Sequence, residues 1–243
     1  MIKFGITNFG DVALTDCFVK PIRDNEVDAA ILISKSIPSG LSRQFMIDYS
    51  NKIIFHATTT GLGRSVAELD VDMFVLRMFD LIQFLQEGFP ASHVVIRVDP
   101  ILFSESGLSI AENVIRYAYL KGFRRFRYSF LKLTDVIRQR YKKRKLEIPC
   151  SVDYNSELFN KFDKMFSAFE SQGCVFEACK ELTRHKLGCI SERDYDLCNL
   201  DSSNLDFSDG RESNCLCKGC KVELIENPKK LRCKFNCLYC YLN

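Results

Sequence analysis

The sequence contains no apolar run of about 18 residues, so no membrane-spanning helix is predicted. It has no basic stretch leading into an apolar one near residue 1, so no secretory signal is expected. It has no strong charge of either sign. Its 34 Lys and Arg stand against 31 Asp and Glu, and a net +3 gives no global case for a nucleic-acid or membrane partner. No internal repeat appears beyond an alternation of short strands and helices. Before residue 174 the chain has only two cysteines, Cys17 and Cys150.

Cysteine is abundant after that point. The chain holds 12, and ten of them lie between Cys174 and Cys240. Without secretion a disulfide framework is not expected, and metal binding is favoured. A cytoplasmic, reducing compartment is the expectation. The apolar fraction of 47% and charged fraction of 27% are ordinary for a globular protein. At 243 residues the chain suits one large domain or two small ones. We divide it into a main α/β part over 1–150, a last unit or units over 151–200, and a cysteine-rich segment over 201–243.

The α/β reading comes from periodicity. Strands are predicted at Ile2–Thr7, Ala29–Ser34, Lys52–Thr58, His93–Val98, Arg124–Phe130 and Cys174–Cys179. Helices are predicted at Asp11–Asp24, Ser42–Tyr49, Val71–Gly88, Ser109–Lys121, Leu133–Lys145 and Ser156–Gln172. Gly122 reads as the cap that ends the fourth helix. Strands separated by helices of this length imply a parallel sheet with crossovers, as an incomplete α/β barrel or a doubly wound sheet. Asp201–Gly210 reads as a polar linker.

The sharpest motif is at the end. Cys233, Cys237 and Cys240 form C-x3-C-x2-C, with Tyr239 just before the last cysteine. Three thiolates at this spacing suit three irons of a 4Fe–4S cluster and leave the fourth iron without a protein ligand. That position can take S-adenosylmethionine (SAM), the arrangement of radical-SAM enzymes. A second reading of the same residues is zinc. Cys217-x2-Cys220 and Cys237-x2-Cys240, sixteen residues apart, satisfy four-thiolate zinc spacing. That reading leaves Cys215 and Cys233 unused. Cys215, Cys217 and Cys220 are also candidates for an additional metal beside a cluster.

Other candidates lie at strand ends, where parallel α/β folds hold ligands. Asp99 suits ribose hydroxyls and Arg97 suits a carboxylate, unless the two simply pair with each other. Thr58, Thr59, Thr60 and Gly61 suit the methionine part of SAM, or are only a β-branched strand end with its turn. Ser129 and Lys35 are further pocket candidates, and His56 is expected to pack within its strand. Lys121–Lys145 carries eleven Lys and Arg against the single acid Asp135, interleaved with Phe123, Phe126, Tyr128, Phe130 and Tyr141. Such a stretch can meet phosphates and stack bases. It also reads as a strand with alternating faces followed by a solvated helix end.

Several of these stretches, in order, resemble an uncharacterised radical-SAM family related to spore photoproduct lyase and labelled DNA-repair photolyase-like. The terminal motif followed by Tyr241-Leu242-Asn243 is similar to the family's ending, and Cys215-Leu216-Cys217 to its upstream Cys-x-Cys. Arg97-Val98-Asp99-Pro100-Ile101, Thr58–Gly63, Tyr128–Leu131 and Cys189-Ile190 resemble further family segments. Two segments depart from it. Asn8-Phe9-Gly10-Asp11 keeps only the aspartate of the family's Arg-Arg-Thr-Asp, and Ile33–Pro38 replaces a Trp-Thr-Lys-Asn-Pro. The resemblance implies a partial (β/α)6 barrel with cluster and SAM at its mouth and Tyr239 near the adenine. It implies a radical-SAM enzyme that cleaves SAM to a 5′-deoxyadenosyl radical, which abstracts hydrogen from an unknown substrate, nucleic acid being thinkable. An electron donor such as a flavodoxin or ferredoxin would be needed. The alternative is a non-enzymatic nucleic-acid- or protein-binding module with a four-cysteine zinc ribbon.

Overall fold

The computed structural model describes residues 2–179, 181–201, 221–226 and 233–240. Cys215, Cys217, Cys220, the 202–210 part of the expected linker and Tyr241–Asn243 lie outside the described residues.

The strands are β1 (Phe4–Ile6), β2 (Ala29–Ser34), β3 (Ile53–Thr58), β4 (Val94–Ile101), β5 (Arg125–Phe130), β6 (Val175–Ala178) and β7 (Lys221–Glu223). The helices are α1 (Val19–Arg23), α2 (Gly40–Asp48), α3 (Phe74–Gln86), α4 (Glu105–Leu120), α5 (Asp135–Lys143), α6 (Glu157–Glu170) and α7 (Glu192–Leu197). The strands form one parallel sheet in the order β6-β5-β4-β3-β2-β1-β7.

Local chemistry explains where the elements depart from the expected ones. The expected helix over Asp11–Asp24 is broken into a 3-10 turn at Val12–Leu14 and the short α1. The Asp11 side chain accepts from the Ala13 N–H at 3.0 Å and Thr15 Oγ1 from the Cys17 N–H at 3.2 Å. Both local bonds compete with a continuous helix. Helix α4 starts earlier than expected because Ser104 caps it, accepting from the Gly107 N–H at 3.0 Å. Gly122 is left-handed, at φ 93°, as expected of a glycine after a helix end. Helix α7 and strand β7 were not anticipated.

Strand side chains alternate between two faces. On one face Leu32, Phe55, Ile96, Phe126 and Phe176 meet Phe18 of the α1 lead-in, Met46 of α2, Phe84 of α3, Val114 of α4 and Phe166 of α6 in the main core. On the other, Phe4, Ile6, Ala29, Ile31, Ile54 and Val95 pack on Tyr195 of α7 and on Ile190. Among the described residues α7, with Ile190 before it, covers the second face near the amino ends of the strands. Toward their carboxyl ends this face turns polar. Thr58, Arg97, Arg127 and Glu177 sit in register across β3, β4, β5 and β6.

Gly107 packs where no side chain fits. A Cβ there would stand 1.9 Å from the Leu102 carbonyl oxygen. Gly107→Ala is expected to cost about 1–3 kcal/mol by overpacking. The check is a lower urea midpoint at unchanged slope.

Candidate functional site

A cavity of about 550 Å³ opens at the carboxyl edge of the sheet. Each of the first six strands contributes to it at its carboxyl end or just beyond. Asn8–Asp11 follow β1, Lys35 follows β2, Thr58 ends β3, Asp99 and Pro100 lie in the last turn of β4, Ser129 ends β5 with Phe130, and Cys179 follows β6. Cys233, Cys237, Tyr239 and Cys240 line it from the opposite end of the chain.

The terminal cysteine loop is held by packing and by one buried carboxylate. Phe235, Cys237, Leu238 and Tyr239 pack with Leu62, Ala67, Val71, Leu131, Ile137 and Tyr141. The Leu238 N–H donates to the Ala67 carbonyl at 2.9 Å. Below them lies Glu68, fully buried. Its Oε1 receives the Lys35 ammonium at 2.6 Å and the Tyr239 hydroxyl, and its Oε2 receives the Thr60 hydroxyl at 2.7 Å. Lys35 Nζ also donates to the Tyr239 oxygen at 2.8 Å. Burial pushes the Glu68 carboxyl up, but the Lys35 charge and the three donors outweigh it and hold the group below the usual range. Burial, then the Glu68 charge, pushes the Tyr239 phenol far above its usual value, so it stays protonated and donates. Burial pushes the Cys237 thiol up to about 11. A metal that takes Cys237 as thiolate must therefore displace a proton.

The other sequence candidates divide. Thr58, Arg97, Asp99, Ser129 and Lys35 line the cavity. Arg97 and Asp99 pair with each other through Nε–H and Oδ2 at 2.8 Å, and the Ser129 hydroxyl donates to Asp99 Oδ1. Both remain partly open, at 23% and 19% of the side chain. Thr60 and Gly61 are not among the lining residues. The Thr60 hydroxyl serves Glu68. Gly61, at φ 77°, packs on α4, where a Cβ would stand 2.5 Å from the Ile110 side chain. His56 is buried within β3 with neither ring nitrogen hydrogen-bonded. Burial, then the nearby Arg127, Arg97 and Arg125, drives its pKa well down, so it is neutral.

Sequence reasoning did not find Glu68, which lies in a loop with no motif around it. Nor did it find the network beneath the cavity floor. Glu177 is held by Arg125 through Nε and Nη2, at 3.0 and 3.1 Å, and by Arg127 Nη2 at 2.8 Å. Arg125 also meets Asp194 of α7 at 2.7 Å, and Arg127 donates to the Cys189 carbonyl at 2.6 Å. Two arginines of the basic Lys121–Lys145 stretch are therefore internal, and Phe126, Tyr128 and Phe130 are buried with them. Arg127, Tyr128 and Phe130 border the cavity, whereas Arg125 and Phe126 are not among its lining residues.

A family model described as a domain of unknown function, DUF1848, matches residues 16–242. The chain belongs to that family. No curated protein matches it, and no solved structure does. No helix among the described residues is long and apolar enough to cross a membrane.

Glu177 gives a pH test. Burial raises its carboxyl, and Arg127 with Arg125 more than reverses this, so its pKa lies below 4.5. A depressed carboxyl stabilises the fold fully above the unfolded value and loses that contribution as pH falls through the folded one. Glu177→Gln leaves buried guanidinium charge uncompensated and is expected to cost about 3–5 kcal/mol at pH 7. The gap from wild type should narrow below about pH 4.5. Urea unfolding of both proteins across pH checks it.

Proposed function

We propose that this protein is a radical-SAM enzyme with a partial β/α barrel, holding a 4Fe–4S cluster through Cys233, Cys237 and Cys240. The observation that carries the reading is the meeting of the chain's two ends. The C-x3-C-x2-C cysteines line the same cavity as the carboxyl ends of six consecutive parallel strands. That edge is where α/β folds bind ligands. Sequential strand order, with no reversal among β1 to β6, supports barrel-type rather than doubly wound curvature.

The residues fit such a group by donor chemistry. Three thiols face one cavity, whose volume falls in the about 300–1,000 Å³ range of ligand sites. Among the described residues no three His, Cys, Asp or Glu side chains converge as ligands of one metal ion. A cluster offers a separate iron to each thiolate, so its cysteines need not converge on one point. When bound, the cluster supplies one-electron cleavage of SAM to methionine and a hydrogen-abstracting carbon radical.

The chain's own residues supply the setting. The Thr58 hydroxyl and the open part of the Arg97 guanidinium are placed for a ligand's amino and carboxylate groups. Asp99 keeps acceptor capacity for ribose hydroxyls beyond its bonds to Arg97 and Ser129. Glu68 fixes Tyr239, so the ring beside Cys240 presents one orientation to the cavity. Phe9, Leu14, Leu131, Ile137 and Phe235 give the walls an apolar character that excludes water.

The alternative zinc ribbon uses Cys217 and Cys220 with Cys237 and Cys240 and does not need Cys233. Metal analysis after anaerobic purification and reconstitution separates the two. We expect about four irons per chain and a brown absorbance, with both lost in Cys233→Ala. The reduced protein should release 5′-deoxyadenosine from SAM. About one zinc per chain, colourless and retained in Cys233→Ala, would refute the cluster reading.

A further inference from the structure

Two more cysteines line the cavity. Cys179 directly follows β6, and Cys189 stands two residues before Ser191, the N-cap of α7. Their sulfurs are 3.5 Å apart. Ten residues separate them in sequence, so the contact is made by the fold. The loop between them is pinned back onto the end of β6. The Ala178 N–H donates to the His185 carbonyl at 2.8 Å, and the Leu187 N–H to the Ala178 carbonyl at 2.8 Å. The Cys189 backbone is fixed by Arg127, whose Nη1 donates to its carbonyl at 2.6 Å. Its sulfur is reached by the Lys221 ammonium of β7 at 3.7 Å. Both cysteines are partly exposed. By contrast, Cys174 and Cys198 are buried, and burial pushes both thiols up, Cys198 to about 12.

We propose that Cys179 and Cys189 form a redox-active dithiol that opens on the cavity and exchanges with disulfides. Two thiols in contact, accessible, and with a cation beside one of them are the groups that thiol–disulfide exchange requires. Cys189 is assigned as the attacking residue, because the Lys221 ammonium stands 3.7 Å from its sulfur. The Cys189 thiolate displaces one thiolate from a disulfide RSSR and forms a mixed disulfide. Cys179 then gives up its proton, attacks the Cys189 sulfur and displaces the second thiolate. The two protons end on the two released RSH molecules. The protein loses two electrons and gains one S–S bond, and one RSSR becomes two RSH. In the oxidised form the end of β6 is tied to the lead-in of α7, so one wall of the cavity is covalently closed. This inference uses neither the cluster nor SAM, and it stands or falls apart from the proposed function.

The test uses the whole chain, reduced and desalted, in oxidised and reduced glutathione at pH 7. Acid quenching, alkylation and tryptic digestion then precede mass spectrometry. The expected product joins the peptide of residues 165–180 to that of residues 187–193. Fragmentation should assign the link to Cys179, with Cys174 alkylated. The link should rise and fall with the glutathione ratio and survive Cys233→Ser. Lys221→Met keeps both thiols and should slow alkylation of Cys189 about 3–10-fold. Persistence of both thiols in oxidised glutathione would overturn the proposal, and so would a link from Cys189 to another cysteine. Loss of iron or zinc in Cys179→Ser or Cys189→Ser would make them metal ligands and would also overturn it.

Discussion

One buried carboxylate, Glu68, holds the two ends of this chain together. A carboxylate without solvent is costly unless every lone pair finds a donor or a cation. Glu68 meets that demand with Lys35 from the end of β2, Thr60 from beyond β3 and Tyr239 from the terminal cysteine loop. Its own position, in the loop that leads to α3, follows from the same bonds. The three partners come from segments with no sequence proximity, so satisfying one charge fixes their mutual geometry. Cys237 and Cys240 flank Tyr239, and the cavity wall they form inherits its position from that hydroxyl. The apolar packing of Phe235 and Leu238 supplies affinity for the surface. The carboxylate supplies the orientation, because hydrogen bonds are directional and hydrophobic contacts are not.

A second buried carboxylate, Glu177, repeats the arrangement on the opposite wall. It lies between Arg125 and Arg127; Arg125 Nη2 also pairs with Asp194 of α7, and Arg127 Nη1 donates to the Cys189 carbonyl. The short helix α7 therefore does more than cover apolar strand residues. It closes a charge network that begins in the sheet. Between the two walls, Arg97 and Asp99 neutralise each other with partly exposed faces. Several charges around the cavity are thus paired internally, and its lining also includes hydroxyls, apolar surface, thiols and the exposed Lys132.

The strands were legible because buried parallel strands are short apolar runs, and Ala29–Ser34 reads to the residue. The strand-end rule brought Thr58, Arg97, Asp99 and Ser129 to the cavity. It failed at Thr60 and Gly61, where the chain has already turned toward Glu68 and α4. Helix α7 has six residues, too few for a period of 3.6 to declare itself, and β7 is the polar Lys221-Val222-Glu223. Both exist by pairing with distant partners, which no local pattern records. Glu68 was illegible for the same reason: a lone glutamate in a loop looks solvated until the fold removes the solvent. The contact of Cys179 with Cys189 likewise depends on backbone bonds to Ala178 that only the folded loop makes.

The basic stretch divides between solvent and interior: Lys132, Lys142, Lys143, Arg144 and Lys145 are exposed, and Arg125 and Arg127 are buried. Eleven cations over Lys121–Lys145 suggest a phosphate-binding surface. The strand within it turns Arg125 and Arg127 to one face, where Glu177 and Asp194 neutralise them. It turns Phe126, Tyr128 and Phe130 to the other, into the main core. Arg124 lies over the Tyr119 ring and donates to its carbonyl. Arg140 donates to the carbonyl of Cys240, so even a helix-end cation is bound to the cysteine loop. A strand needs alternating faces, and in this sheet one face is greasy and the other ends in a charged floor. On β5 the alternation makes Arg127 and Tyr128 part of the cavity lining.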